Sequence, residues 1–173
     1  MDTVDCIATK LDVREFSPRH VPGSVKLKVL EAARLTGSGT NRQHWRFVLV
    51  QERAGLEKLA GDSATGKWVG GSDFAIIVLT DPTLPYHAID AGRALQDMQL
   101  AAWNFGVASC LYMGVKTKEL RADFRIPDDL NPTAVLGFGY PMRKISGRKS
   151  RLPLPQVAFQ GTYGVPVNPH SLR

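Results

Sequence analysis

Ala33-Arg34-Leu35-Thr36-Gly37-Ser38-Gly39-Thr40-Asn41-Arg42-Gln43-His44-Trp45-Arg46-Phe47 is the stretch whose reading decides the fold. A helical apolar pattern, carried by Val25, Val29, Leu30, Ala32 and Ala33 after a Pro22 start, runs into it and stops. Small, hydroxyl and amide residues follow, and a strand begins at Phe47. A helix, a polar loop and a strand in that order expose hydroxyls, amides and backbone N–H groups at a strand end, where a polar cofactor can dock. The loop is not a dinucleotide fingerprint. Gly37-Ser38-Gly39-Thr40-Asn41-Arg42 lacks the third glycine and follows a helix instead of a strand. Gly61 to Lys67 has part of a phosphate-loop spacing, but Trp68 stands where Ser or Thr is essential.

Outward from the loop, the chain alternates helices and strands. Val4–Leu11 reads as a helix with Val4, Ile7, Ala8 and Leu11 on one face, and Leu56–Ala60 as a short one. Phe47–Gln51, Ala108–Met113 and Thr133–Tyr140 read as strands. Asp73–Thr80 is a continuous apolar run between Gly70-Gly71 and Asp81-Pro82, as in a central strand covered on both faces. Pro85 opens the longest helix, whose Ile89, Ala91, Ala94, Leu95, Met98, Ala101, Ala102 and Phe105 mark a core element ending near Gly106. Lys116–Phe124 is a further short helix. From Leu152 the chain is proline-rich and irregular, yet Val157, Ala158 and Phe159 give it apolar material for docking. The length of 173 residues suits one domain.

No apolar run approaches the roughly 18 residues of a membrane span, and the acidic N-terminus does not read as a secretory signal. Cys6 and Cys110 lack metal or redox spacing and read as core thiols, which makes the cytoplasm the expected compartment. His20, His44, His87 and His170 show no paired spacing, so no metal site is expected. The formal charge is +6, and six basic residues (Arg143, Lys144, Arg148, Lys149, Arg151 and Arg173) follow the last acid, Asp129. Residues 1–129 are therefore balanced. A solvated loop or a nucleic-acid patch would account for such a cluster. Arg143–Arg151 interleaves no aromatic residue, however, which argues against nucleic acid.

The loop resembles the signature of the FMN-dependent nitroreductase family, which runs Ala-Ala-x-x-Ala-Pro-Ser-x-x-Asn-x-Gln-Pro-Trp-x-Phe. Ser38, Asn41, Gln43, Trp45 and Phe47 sit at the family spacing, whereas Gly37 and His44 replace prolines. Two further segments support the likeness. Lys10-Leu11-Asp12-Val13-Arg14-Glu15-Phe16 is similar to the family's Arg-Arg-Ser-x-Arg-x-Phe, with Leu11 and Asp12 departing from it. Gly137-Phe138-Gly139-Tyr140-Pro141 is similar to the family's last strand and turn, after which a Lys/Arg pair returns.

The resemblance implies an α+β fold with a central, mostly antiparallel sheet of about four to five strands flanked by helices. It implies a homodimer with residues 152–173 laid on the partner subunit and the long helix in the interface. It also implies FMN as cofactor and NAD(P)H as donor in a ping-pong reaction, with a nitroaromatic, quinone or similar acceptor. No catalytic side chain is required. By the same likeness Lys10, Lys149 and Arg151 hold the phosphate, and Arg14 faces the N1/O2 edge. Ser38, Gly39, Thr40, Asn41 and Gln43 line the ribityl or ring edge from the neighbouring subunit. The Met113 backbone and Gly114 lie near N5, the Met113 side chain reading equally as a buried strand residue, while Leu11 and Asp12 fall beside the ribityl chain. Lys67 and Trp68 fall where the family often has a flexible segment near the ring, and Trp45 reads as a core anchor behind the loop. The alternatives are a flavin-binding protein without turnover, or a dehalogenase or flavin-destroying enzyme on the same scaffold. The latter generally needs a lid, for which Gly114–Thr133 leaves little room.

Overall fold

The computed structural model describes residues 1–172. In chain order the elements are α1 (Thr3–Thr9), α2 (Gly23–Leu35), β1 (Arg46–Val50), α3 (Arg53–Gly61), β2 (Phe74–Thr80), α4 (His87–Asn104), β3 (Ala108–Tyr112), α5 (Thr117–Phe124) and β4 (Asn131–Gly139). The four strands form one sheet in the order β1-β2-β4-β3, and every pairing is antiparallel.

The apolar run at the centre dictates this arrangement. All seven residues of β2 are buried, and their side chains alternate between two cores as the period of a strand requires. Phe74, Ile76 and Val78 meet Val29 and Ala33 of α2 with Ala91, Ala94, Met98 and Ala102 of α4. Ala75, Ile77 and Leu79 meet Leu56 and Leu59 of α3 with Leu120 of α5. The rings of Phe74 and Phe138 stack across β2 and β4 at 4.7 Å. Gly137 of β4 must be glycine, since a Cβ there would lie 2.5 Å from Ser72 Oγ and 2.7 Å from Trp68 Cζ3. Asp73, just before β2, ties down the approach to α2 by accepting from the Val21 amide at 3.1 Å and pairing with His20 and Lys26. Burial alone would push its pKa up; the bonds to His20, Lys26 and Val21 outweigh that and hold it below the ordinary carboxylate value.

Several elements differ from the sequence expectation. Helix α1 ends at Thr9, with Lys10 as its C-cap. Only Cys6 of α1 is buried, while Val4 and Ile7 are exposed. The bond from Trp103 Nε1 to Thr9 Oγ1 fixes the helix against α4, with its Cys6 side inward and its apolar stripe out. Helix α4 starts at His87, two residues beyond Pro85, and its Ile89 is exposed. Strand β3 stops at Tyr112, so Met113 is an exposed side chain and not a buried strand residue. Trp68 is wedged between Phe16 and Tyr112, with ring centroids 6.3 and 5.8 Å away, in a packed turn (Lys67–Gly71). Trp45 is buried as a core anchor, as are the unpaired thiols Cys6 and Cys110. The tail forms a small closed loop in which Phe159 bridges Pro166 and the Phe159 and Tyr163 rings meet at 4.6 Å. Leu152, Leu154, Val157, Tyr163 and Val165 are exposed. No helix among the described residues is long and apolar enough to cross a membrane.

Candidate functional site

The basic ends of the chain come together along β3 and the end of β4. Asp12 bridges Ser109 of β3, and the Val13 amide donates to the Ser109 carbonyl at 3.0 Å. Phe16 then bridges Pro141, the Ser17 amide donates to the Tyr140 carbonyl at 2.8 Å, and the Met142 amide donates to the Glu15 carbonyl at 3.0 Å. Gly139 admits this zipper because a Cβ there would strike the Phe16 ring at 2.9 Å. Farther on, Gly147 lies against Leu11, whose Cδ1 a Cβ would approach to 2.9 Å.

Between the two segments lies a cavity of about 480 Å³ lined by Asp12, Arg14, Glu15, Met142, Arg143 and Lys144, among others. Arg14 is exposed, with the Cys110 sulfur in its surroundings. The Cys110 side chain first, then the Asp12 charge, raise its pKa further above the ordinary arginine value. Lys10 is buried, and its ammonium donates to Asp12 Oδ1 at 2.6 Å. Gln99 of α4 donates to the same oxygen at 3.3 Å and to Ser109 Oγ at 3.2 Å. Asp12 is thus committed to Lys10 through one oxygen, while its side chain remains 60% exposed. Lys149 donates to the Ile7 carbonyl near the end of α1, close in sequence to Lys10. Arg151 donates to the neighbouring Ser150 carbonyl. Arg173 lies outside the described residues.

This donor set suits FMN. Arg14, Arg143 and Lys144 outnumber Asp12 and Glu15, and guanidinium and ammonium groups are the natural partners of a phosphate dianion. Asp12, already neutralised by Lys10, can accept from hydroxyls without presenting a lone negative charge. Arg143 and Lys144 were visible in the sequence as members of a basic run, but nothing in the spacing distinguished them from Lys149 and Arg151. Their place on the cavity wall follows from the Glu15–Met142 pairing.

Gly114 sits in a second locus. Its carbonyl accepts from the Ala64 amide at 2.7 Å, and Ser63 bridges Val115. A Cβ on Gly114 would come within 2.6 Å of Thr65 Oγ1, so a side chain there would have to displace the exposed Thr65 side chain. Met113, just past the end of β3, lies four residues beyond Ser109, roughly 13 Å at strand rise.

The third locus is the loop. Ser38–Gln43 lies at the opposite corner of the sheet from Asp12. Ser109 aligns across the strands with Phe138 and Phe74, whereas Arg46, where β1 begins, aligns with Leu79. Three strand spacings separate the two edges, roughly 14 Å, and five residues of β2 add roughly 17 Å along the strand. One protomer therefore keeps Ser38, Gly39, Thr40, Asn41 and Gln43 apart from Lys10, Asp12 and Arg14. Within the loop Thr40, Asn41 and Gln43 all have positive φ, at 49°, 55° and 49°. That posture costs non-glycine residues on the order of 1 kcal/mol or more each. Ser38 Oγ accepts from the Gln43 amide at 2.9 Å. Asp90 Oδ2 accepts from the Gly39 amide at 2.9 Å and lies 3.1 Å from His44 Nε2. Asp90 and His44 carried no signal in the sequence beyond His44 standing where the likeness has proline.

Comparison with known proteins identifies the family and the fold. The family model described as "Nitroreductase family" matches residues 7–81 and 67–140. A Methanothermobacter thermautotrophicus protein named "Putative NADH dehydrogenase/NAD(P)H nitroreductase" is 31% identical over 150 residues, covering 82% of this chain and 78% of its own length. The crystal structure of a nitroreductase family protein from Clostridium difficile 630 superposes with a TM-score of 0.82 at 27% identity, over 94% of this chain and 99% of that one. An FMN-dependent nitroreductase from Clostridium difficile R20291 shares the fold at a TM-score of 0.84 and 20% identity, over 92% of this chain and 99% of that one. With matches running from α1 to the end of β4, and with its two basic segments zipped over the sheet edge, the chain belongs to the nitroreductase family.

Proposed function

We propose that the protein is a homodimeric, FMN-dependent NAD(P)H oxidoreductase that reduces nitroaromatics, quinones or similar acceptors. The observation that carries this reading is the cationic cavity formed where Lys10–Ser17 and Gly139–Lys149 pair. FMN, when bound, supplies hydride acceptance and electron storage. The side chains bind and tune it. Arg143 and Lys144, with Lys10, Lys149 and Arg151 close in sequence to the pairing, supply the charge for the phosphate. Arg14 supplies fixed positive charge for the electron-rich edge of a reduced ring. Asp12 accepts from ribityl hydroxyls, Leu11 packs beside them, and the Met113–Gly114 backbone borders the ring. Ser38, Gly39, Thr40, Asn41 and Gln43 lie too far away to serve the same protomer's cavity, and they complete the site of a second copy. The exposed apolar residues of the 152–172 tail suit burial on that copy. Two unpaired thiols suit a reducing compartment such as the cytoplasm.

An anaerobic titration tests the reading. Purified protein loaded with FMN should bleach on addition of NADH or NADPH and regain its flavin absorbance when a nitroaromatic or quinone is added. Protein that takes up no FMN, or whose flavin is not reduced, would overturn it. Replacing both Lys149 and Arg151 with Ala should weaken FMN binding several-fold more than riboflavin binding. Equal losses would remove those two residues from the phosphate.

A further inference from the structure

Beneath the Ser38–His44 loop lies a sealed pair of titratable groups that the flavin reading does not use. The side chains of His44 and Asp90 are only 5% and 2% exposed. Asp90 stands in the first turn of α4, with Arg93 Nη1 3.7 Å from its Oδ1. Its Oδ2 accepts from the Gly39 amide at 2.9 Å and faces His44 Nε2 at 3.1 Å. On the other side of the imidazole, the Asp81 amide points at Nδ1 from 3.4 Å. A ring with its proton on Nε2 satisfies both neighbours. Between Gly39 and His44 lie the three left-handed residues Thr40, Asn41 and Gln43. A non-glycine backbone keeps such a run only when its surroundings over-determine it. Ser38 Oγ holds the Gln43 amide, and Thr40 Oγ1 meets Tyr86 OH at 3.3 Å. Asp90 differs from these because one of its oxygens grips both ends of the run.

We propose that the Asp90–His44 pair is a latch that positions this loop. By drawing Gly39 and His44 to a single buried oxygen, it makes the intervening residues bulge outward, with Asn41 and Gln43 exposed and presented to the flavin of a second copy. The last step rests on the function proposed above. Proline in the resembling signature stiffens this point of the loop covalently by fixing φ. In this chain a hydrogen bond from His44 to the helix beneath does the same work, which makes Asp90 and His44 positioning residues.

Two readouts test the latch on the full chain. The first is limited trypsin digestion without cofactor, followed by mass spectrometry at the Arg42–Gln43 bond. The second is the FMN Kd from flavin fluorescence. Asp90→Ala and His44→Ala should each be cut at Arg42 about tenfold faster than wild type and bind FMN about tenfold more weakly. Asp90→Asn, which keeps an acceptor for both donors, should stay within about threefold of wild type on both measures. The Asp90→Ala/His44→Ala double variant should be no worse than the worse single one. If Asp90→Ala does not fold, His44→Ala carries the test, because there Asp90 keeps the Gly39 amide. Wild-type cleavage at Arg42 in the variants, or faster cleavage with unchanged FMN affinity, overturns the proposal. A wild-type protein that takes up no FMN defeats the flavin reading, and the latch then stands or falls on the Arg42 cleavage alone.

Discussion

Single residues show where the fold bears unfavourable chemistry. Asp62 caps α3, is buried, and leaves its Oδ2 without a hydrogen bond among the described residues. Burial above all, then the nearby charges of Asp123 and Glu119, raise its pKa above the ordinary 3.8. The folded carboxyl therefore keeps its proton to higher pH than the unfolded one, and its ionisation costs stability as pH rises above about 4. Asp62→Asn should raise the melting temperature by about 2–4 °C at pH 7, and the gain should vanish below pH 4. Thermal scans across that range check both the sign and the window. Asp62 could not be singled out in the sequence, where it is one acid after a short helix. The left-handed Thr40, Asn41 and Gln43 were equally hidden, because none is a glycine. Ser38 and Trp45, by contrast, kept their expected place in the loop and in the core.

At the level of elements, β2 was legible because a seven-residue apolar run between turn signals has few other uses, and the structure buries every one of its residues. Helix α1 was legible as a helix but not in its orientation. Periodicity tells which side chains share a face and not which neighbour that face will meet, so Val4 and Ile7 ended up exposed. Likewise the run Arg143–Arg151 announced positive charge, but the zipper to Glu15 and Phe16 decided which cations line the cavity. The strand glycines carry a separate message. Gly137→Ala should destabilise the protein by about 1–3 kcal/mol, since Ser72 Oγ and Trp68 Cζ3 occupy the space. Urea denaturation measures this. Gly61→Ala, where a Cβ meets nothing within 4 Å, is the control and should change stability by under about 1 kcal/mol.

For the whole molecule, the two halves of the proposed site lie at opposite corners of one sheet, so cofactor affinity and self-association should be linked. Diluting the protein should weaken FMN binding at the concentration where sedimentation shows dimers dissociating. Removing residues 152–173 should move both transitions to higher protein concentration. Equal affinity in monomer and dimer would refute the shared site. The sheet order has one more consequence, for how the protein opens. Strand β2 is flanked on both sides by antiparallel partners and covered above and below by separate cores. Fraying at either edge therefore leaves its amides protected, and deuterium reaches Ile76, Ile77 and Val78 only when the entire domain comes apart. Their exchange rates are a built-in gauge of global unfolding, against which the opening of the terminal zipper and of the polar loop can each be timed.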